Sequence, residues 1–274
     1  MLFDLRSNIL FSGKTKAENG YFRFTFIVPR DIDYSFGKGK ISYYASDELR
    51  DMNGHHSDVI VGGFAETTAV DTTGPLISLF MNDTLFRNGG ITDSNPRILA
   101  IIEDKGGINT TGAGIGHDLT AYLDNDKNKS FVLNNYFVND FDNYMKGRIM
   151  YDLYDLKEGS HTLTLKVWDY YNNSSEQTIM FLVENDGKFI LKNIINYPNP
   201  ILNGTRITAG HNRPGEEFEV TITIYNMSGS AIRILRTSIY SAGYQLEPVE
   251  WDGKTESGQR AGRGIYPYRI TVKS

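Results

Sequence analysis

The sequence predicts an all-β protein made of tandem β-sandwich modules behind a short N-terminal β-unit. Among its 274 residues are 17 Tyr, 15 Phe and 27 Gly, and aromatic residues are enriched in strands. Several runs alternate apolar with polar residues, and this period of two places the apolar side chains on one face of a strand. The length is typical of two or three domains with sizeable cores.

Composition excludes several functional classes. The net charge is −5 with a pI near 5.6, and no basic run supplies the footprint of a nucleic-acid partner. Cysteine is absent, which excludes disulfides, thiolate metal sites and cysteine nucleophiles in this chain. The weak apolar cluster Ile9-Leu10-Phe11 is too short for a signal peptide or a membrane span. We therefore expect a natural start upstream of Met1, with the export signal outside this sequence.

Residues 1–70 are predicted to form a small, partial β-sheet unit. Tyr21–Val28 alternates Phe with polar residues and is followed by Pro29, which favours a strand that ends there. Ile41–Ala45 and Val59–Val61 indicate two more strands, with a turn expected at Asn53-Gly54. So few strands make a thin sheet, so we expect the unit either to be truncated or to lean on its neighbour.

Residues 71–184 are predicted to form an immunoglobulin-like β-sandwich. Seven short strands separated by turn signals are typical of that architecture. They are expected at Leu76–Met81, Ile98–Glu103, Leu119–Leu123, Phe131–Leu133, Gly147–Leu153, Thr162–Trp168 and Gln177–Val183.

Residues 185–195 are interpreted as a connector, and residues 196–274 as a terminal module. Phe218–Tyr225 alternates strictly, Ala231–Leu235 adds a second run, and Tyr266 to Val272 closes the module. Pro267 cannot donate to a ladder, which favours an edge strand or a bulge there.

The terminal module resembles the FlgD-like immunoglobulin module, which commonly ends large secreted and surface proteins of bacteria. The resemblance rests on short motifs around the predicted strands. These are Tyr197-Pro198-Asn199-Pro200, Ile224-Tyr225-Asn226, Trp251-Asp252-Gly253, Ser257-Gly258-Gln259 and Gly264-Ile265-Tyr266. We expect Trp251 to anchor its turn by burying its ring.

A second resemblance covers nearly the whole chain. Its ordered blocks are Gly20–Pro29, Gly39–Ala45, Asn109–Gly112, Gly114–Ala121, Gly159–Asp169, Asn172–Ser175 and Tyr197–Pro200. Together they resemble the C-terminal, non-catalytic region of PorU-type sortases, which are gingipain-like members of peptidase family C25 in the type IX secretion system.

That resemblance implies non-catalytic accessory and docking modules of a cell-surface sortase that processes secretion cargo. In that family the nucleophilic Cys and its partner His lie in an upstream domain, so no catalytic residue carries over. The implied partners are that catalytic domain and outer-membrane secretion components, and the implied location is the bacterial cell surface or outer membrane.

Two alternatives remain open. A carbohydrate-binding or adhesion module would present exposed rings to a surface glycan, and Tyr43-Tyr44 and Tyr170-Tyr171 are the candidates, although β-cores use the same residues. A secretion cargo with a C-terminal sorting domain is the other, but Val272 to Ser274 match the usual Lys-rich ending poorly.

His117-Asp118 is the one tight His–Asp pair, but neighbours in an extended chain point to opposite faces. No nucleophile motif accompanies it, so we expect a structural loop histidine. His55-His56 gives two metal ligands without a third, so a surface loop is expected there.

Asp124, Asp126 and Asn128 place oxygen side chains at alternate positions, as a calcium loop does. Lys129 replaces the glycine of such a loop and no distal Glu follows, so a polar hairpin tip is expected and no cofactor is assigned. A looser calcium site that combines this loop with Asp104 or Asp118 remains an alternative.

Overall fold

The computed structural model describes residues 9–30, 32–47, 49–63, 71–112, 116–184 and 189–273. Residues 1–8, 113–115 and 185–188 fall within segments considered above and lie outside the described residues. The described chain is all-β, as the sequence predicts. None of its helices is long and apolar enough to cross a membrane.

The described residues form nineteen strands. They are β1 Gly37–Lys38, β2 Ile41–Ser46, β3 Asp51–His56, β4 Ile60–Val61, β5 Leu76–Met81, β6 Gly90–Thr92, β7 Arg97–Glu103, β8 Thr120–Leu123, β9 Phe131–Val132, β10 Phe137–Asp140, β11 Asn143–Asp152, β12 Gly159–Trp168, β13 Ser174–Val183, β14 Leu191–Tyr197, β15 Thr205–His211, β16 Glu216–Tyr225, β17 Ala231–Ser241, β18 Val249–Trp251 and β19 Tyr268–Lys273. Two 3₁₀ turns lie at Lys127–Lys129 and Asn134–Tyr136.

The strands assemble into sheets with the orders β1-β4, β2-β3, β10-β11-β7-β5, β6-β13-β12-β8-β9, β14-β15-β18 and β17-β16-β19. The pairing of β13 with β6 is parallel. In β7 and β12 alternate side chains such as Ile98, Ala100, Leu163 and Leu165 are fully buried. The predicted alternation of the second module is therefore confirmed.

Two compact units are distinguished by the density of their internal contacts. The first comprises Met1–Ser78, Ala100–Met150 and Thr164–Gln177, and the second Leu79–Leu99, Tyr151–Leu163 and Thr178–Ser274.

The predicted strand at Tyr21–Val28 is wrong. The segment is extended and its phenylalanines face one way, with ring centroids 6.3 Å apart for Phe22–Phe24 and 6.2 Å for Phe24–Phe26. Phe11 stacks on Phe26 at 4.8 Å. Among the described residues no strand pairs with this segment, and a strand needs a partner for its backbone groups.

The turn expected at Asn53-Gly54 is also wrong. Both residues lie inside β3, where they pair with Tyr44 and Tyr43 of β2. The turn forms earlier, because Asp47 Oδ1 accepts the backbone N–H groups of Leu49 and Arg50 at 2.9 and 2.7 Å. An aspartate that caps its own turn in this way competes well with an Asn-Gly pair.

The terminal module buries the predicted face of β16. Phe218, Val220, Ile222 and Ile224 are each at most 2% exposed and form one core with residues of β15, β17 and β18. Pro267 directly precedes β19, an edge strand of its sheet, and its carbonyl accepts Tyr225 N–H at 2.8 Å. The edge position inferred from this proline is confirmed.

Candidate functional site

Three aspartates gather at loops of the first compact unit. Asp71 precedes β5, Asp104 follows β7 and Asp169 follows β12, and their carboxylate oxygens lie within 4.8 Å of one another. Over the described ranges this is the one group of three or more His, Cys, Asp or Glu side chains close enough to share an ion. Asp169 is fully buried.

Each carboxylate is held by donors of its own loop. Asp169 accepts the backbone N–H groups of Tyr171 and Asn173 at 2.9 and 2.7 Å, and the Asn173 side-chain amide at 2.7 Å. Asp104 accepts Gly106 N–H at 2.6 Å. Asp71 accepts the backbone N–H and the hydroxyl of Thr73 at 3.0 and 2.8 Å.

Burial and mutual repulsion govern the charges of this cluster. Burial raises the pKa of Asp104 to about 6, and the neighbouring charges of Asp169 and Asp71 push it in the same direction. Burial is also the main cause of a raised pKa at Asp169. The bonds from Thr73 lower the pKa of Asp71. In the described part of the chain no Lys or Arg forms an ion pair with the cluster, although the charge of Lys105 helps to lower the pKa of Asp71. Asp104 therefore keeps its proton to a higher pH than an ordinary aspartate does.

The sequence did not single out this cluster, although it offered part of the signal. Asp104 and Asp169 each follow a predicted strand at once. Which strand ends coincide in space depends on the order of strands in the sheets, and residue spacing does not report that order.

The segment from Asp124 to Ser130 is a polar tip between the paired strands β8 and β9, as expected. Asp126 accepts Asn128 N–H at 3.2 Å, caps the 3₁₀ turn and lies 3.8 Å from Lys129 Nζ. Asp124 adopts a left-handed conformation with φ 51°. Asp104 belongs to the aspartate cluster instead, and Asp118 accepts the Asn134 amide at 2.9 Å. Calcium binding at Asp124, Asp126 and Asn128 stays an alternative.

The histidine candidates are dispersed. The His117 ring lies 4.2 Å from that of Trp168, centroid to centroid, in a packing contact. His55 and His56 lie in strand β3 and not in a loop, which corrects the expectation, and both are exposed. Successive residues of a strand point to opposite faces, so these two side chains diverge.

The tyrosine pairs differ in exposure. Tyr170 is buried at 3% exposure, while Tyr44 is 71% exposed. Tyr171 stacks under Arg30, whose guanidinium carbon lies 4.8 Å from the ring centroid, and Tyr43 meets Phe22 edge-on at 5.4 Å. The pair Tyr170-Tyr171 is therefore a packing feature and not an open platform for sugars.

Trp251 anchors its turn as expected. The ring is 3% exposed, its indole N–H donates to Lys254 C=O at 2.9 Å, and it meets Tyr266 edge-on at 5.8 Å. Gly253 has φ 74°, a conformation that glycine adopts without strain.

Several other residues of these motifs are exposed, whereas Ile224 lies in the core. Tyr197 is 77% exposed and Ile265 is 73% exposed. Asp252 Oδ1 accepts the N–H of Lys254 at 3.0 Å. The peptide bonds that precede Pro198 and Pro200 are both cis.

A buried serine–histidine contact lies in the terminal module. His211 Nε2 is 2.8 Å from Ser241 Oγ, and His211 Nδ1 accepts Arg213 N–H at 3.2 Å. Because Nδ1 is an acceptor, Nε2 carries the proton and donates a hydrogen bond to Ser241 Oγ. Burial lowers the pKa of His211 to about 4. A serine that accepts a hydrogen bond from the histidine N–H is not activated as a nucleophile.

A second contact joins two loops of the second compact unit. Tyr244, after β17, donates from its hydroxyl to Asp93 Oδ2, after β6, at 2.6 Å. Burial raises the pKa of Tyr244, and the bond to Asp93 adds to the shift. Nearby, a Cβ atom on Gly243 would lie 2.5 Å from Asp83 Oδ2, so the two loops approach closely there.

These features define an all-β protein of sandwich modules, in which hydrogen bonds between polar side chains hold the loops in place. The chain is similar to PorU from Porphyromonas gingivalis, as seen in the crystal structure of the dimeric latent protein, with 33% identity over 92% of this chain and a TM-score of 0.42. It covers 24% of that chain, about a quarter of its length. No family model matches the chain, and no curated protein matches it.

Proposed function

We propose that this chain is a non-catalytic accessory and docking region of a cell-surface, C25-type sortase that processes type IX secretion cargo. The proposal is carried by the ordered motif blocks that resemble PorU-type sortases from Gly20 to Pro200. Its expected role is to position a catalytic domain and to contact outer-membrane partners.

The positions of the motif residues support a framework role. The block Gly159–Asp169 forms β12 and ends on the buried Asp169. The block Asn109–Gly112 is a braced loop, in which Asn109 Oδ1 accepts the N–H and the hydroxyl of Thr111 at 3.1 and 2.8 Å. Buried residues with satisfied hydrogen bonds maintain a fold, and catalysis needs accessible groups.

The composition is consistent with the same proposal. The chain contains no cysteine, so the nucleophile of a C25 peptidase must come from elsewhere in the parent protein. We expect this chain alone not to cleave arginyl, lysyl or sorting-signal peptides. Turnover that copurifies with the chain and survives removal of contaminants would contradict the proposal.

The decisive experiment separates chemistry from docking in the parent protein. Residues 71–274 are deleted from the whole sortase, and cargo processing in cells is compared with cleavage of a soluble sorting-signal peptide in vitro. We expect cells to accumulate unprocessed cargo while the truncated enzyme still cleaves the peptide. Normal cargo processing in cells would refute an accessory role, as would an upstream reading frame without a Cys–His peptidase domain.

A further inference from the structure

One edge of β17 is only half covered. Glu256 N–H donates to Ile232 C=O at 2.7 Å, and Ile234 N–H donates to Glu256 Oε2 at 3.2 Å. Alternate residues of a strand direct their backbone groups to the same edge. Arg236, Ser238 and Tyr240 therefore direct their backbone N–H and C=O groups to the part of this edge that Glu256 does not cover. In the described structure the contact made there is a 3.3 Å bond from Thr237 Oγ1 to Ser238 C=O.

An acidic groove runs beside the uncovered part. It has a volume of about 450 Å³ and lies between Thr237–Tyr240 and the segment Glu247–Glu250. Glu247 and Glu250 line it, and no Lys or Arg does. Arg206 pairs with Glu250 at 2.9 Å, whereas Glu247 is exposed and has no ion-pair partner among the described residues. Tyr240 adds a ring that is 65% exposed.

The uncovered part of the edge has little of the usual protection against strand addition, because it contains no proline and Arg236 is its one charged residue. Natural edge strands are shortened, bulged, covered or occupied by proline and charges. β17 spans eleven residues, and its bulge lies opposite Ile224 and Tyr225, at the end that is already covered. A second copy of the chain paired at this edge would bring its own Glu247 towards the same acidic groove, and like charges repel.

We propose that this edge binds an extended segment of another polypeptide as an added strand, with a lysine or arginine side chain against Glu247. Backbone bonds to Arg236, Ser238 and Tyr240 supply affinity, and the acidic groove supplies selection for basic residues. This proposal is independent of the sortase assignment, because it uses only the geometry of the terminal module.

The test uses the full chain and a fluorescent heptapeptide that alternates lysine with valine, beside a control in which glutamate replaces lysine. We expect the basic peptide to bind at least about tenfold more tightly than the acidic control, and we expect added salt to weaken this binding. Ser238→Pro removes the outward N–H together with the side-chain hydroxyl, so binding should fall about tenfold. Ser238→Ala keeps that N–H while losing the 2.7 Å bond to Glu217 Oε1, and should bind as the parent does. Glu247→Lys should reverse the charge preference.

Three results would overturn the proposal. They are equal binding of the acidic peptide, unchanged binding by Ser238→Pro, and concentration-dependent self-association that Ser238→Pro abolishes. Should Ser238→Pro fail to fold, hydrogen exchange of the parent chain decides the matter. Protection of the amides of Arg236, Ser238 and Tyr240 by the basic peptide supports the proposal, and protection elsewhere refutes it.

Discussion

Tyr244 Oη and Asp93 Oδ2, 151 residues apart in sequence, are joined by a 2.6 Å hydrogen bond. The bond ties the loop after β17 to the loop after β6. It is charge-assisted and partly shielded from water, a setting in which hydrogen bonds are stronger than at an open surface.

The first prediction concerns this bond. Tyr244→Phe should lower the free energy of unfolding by about 1–2 kcal/mol, because the Asp93 carboxylate loses the hydroxyl that donates to it. The measurement is denaturant unfolding of Tyr244→Phe, Asp93→Asn and the double variant. The double variant should be little worse than Tyr244→Phe, since both changes remove one interaction. Tyr240→Phe, at an exposed ring, should be neutral, and additive losses in the cycle would contradict the prediction.

The second prediction concerns His211. Its pKa is about 4 in the folded chain and near 6.5 in an unfolded one. As the pH falls, the unfolded state therefore binds the proton before the folded state does. The free energy of unfolding decreases by up to about 3 kcal/mol between a pH of about 6.5 and a pH of about 4. His211→Gln should flatten this part of the profile, and His56→Gln, at an exposed strand position, should not. An unchanged slope in His211→Gln would show that other groups govern acid unfolding.

The third prediction has the opposite sign. The pKa of Asp104 is raised to about 6, above the unfolded value of about 3.9. The folded state therefore keeps this proton up to a higher pH than the unfolded state does. Its contribution to stability is present at low pH and is lost as the pH rises from about 4 to about 6. Asp104→Asn should raise the melting temperature at pH 7.5, while Asp58→Asn should not. A lower melting temperature would mean that the carboxylate is stabilising when charged.

The fourth prediction concerns Trp251. Its ring is enclosed at 3% exposure, so Trp251→Ala should cost about 3–5 kcal/mol of stability. Tyr197→Ala, in the same module but 77% exposed, should change stability by less than about 0.5 kcal/mol. Chemical denaturation measures both, and a loss below about 1 kcal/mol for Trp251→Ala would make that ring a recognition residue instead.

Sequence patterns predicted the long strands best. Phe218–Tyr225 alternates apolar with polar residues because one face is buried, and Leu76–Met81 is a short apolar run whose burial alternates. Both predictions agree with the observed strands to within two residues. The sequence did not predict β3 and β14, which are largely exposed, or β15, which is largely buried. Pairing with a neighbour defines these strands more than their own composition does. At Tyr21–Val28 the alternation correctly indicated one apolar face, but a pattern within one segment cannot show whether a partner strand exists.

The candidate sites were harder to foresee for a related reason. Asp71, Asp104 and Asp169 meet only because three loops converge, and the pairs His211–Ser241 and Tyr244–Asp93 join distant segments. Trp251 was predictable, since a large apolar residue beside an Asp-Gly turn has few other places to go. The sequence shows which residues are neighbours along the chain, and it does not show which distant segments meet in the folded protein.

The fixed tautomer of His211 provides the terminal module with an intrinsic spectroscopic probe. Its Nε2 proton is buried and donated to Ser241, whose hydroxyl lies 3.1 Å from Gly243 C=O and 2.9 Å from Gln245 C=O, on either side of Tyr244. Such a proton exchanges slowly with solvent and resonates far downfield of the amides in an NMR spectrum. Loosening of the Tyr244 loop would therefore register as broadening of one imidazole signal, without any label.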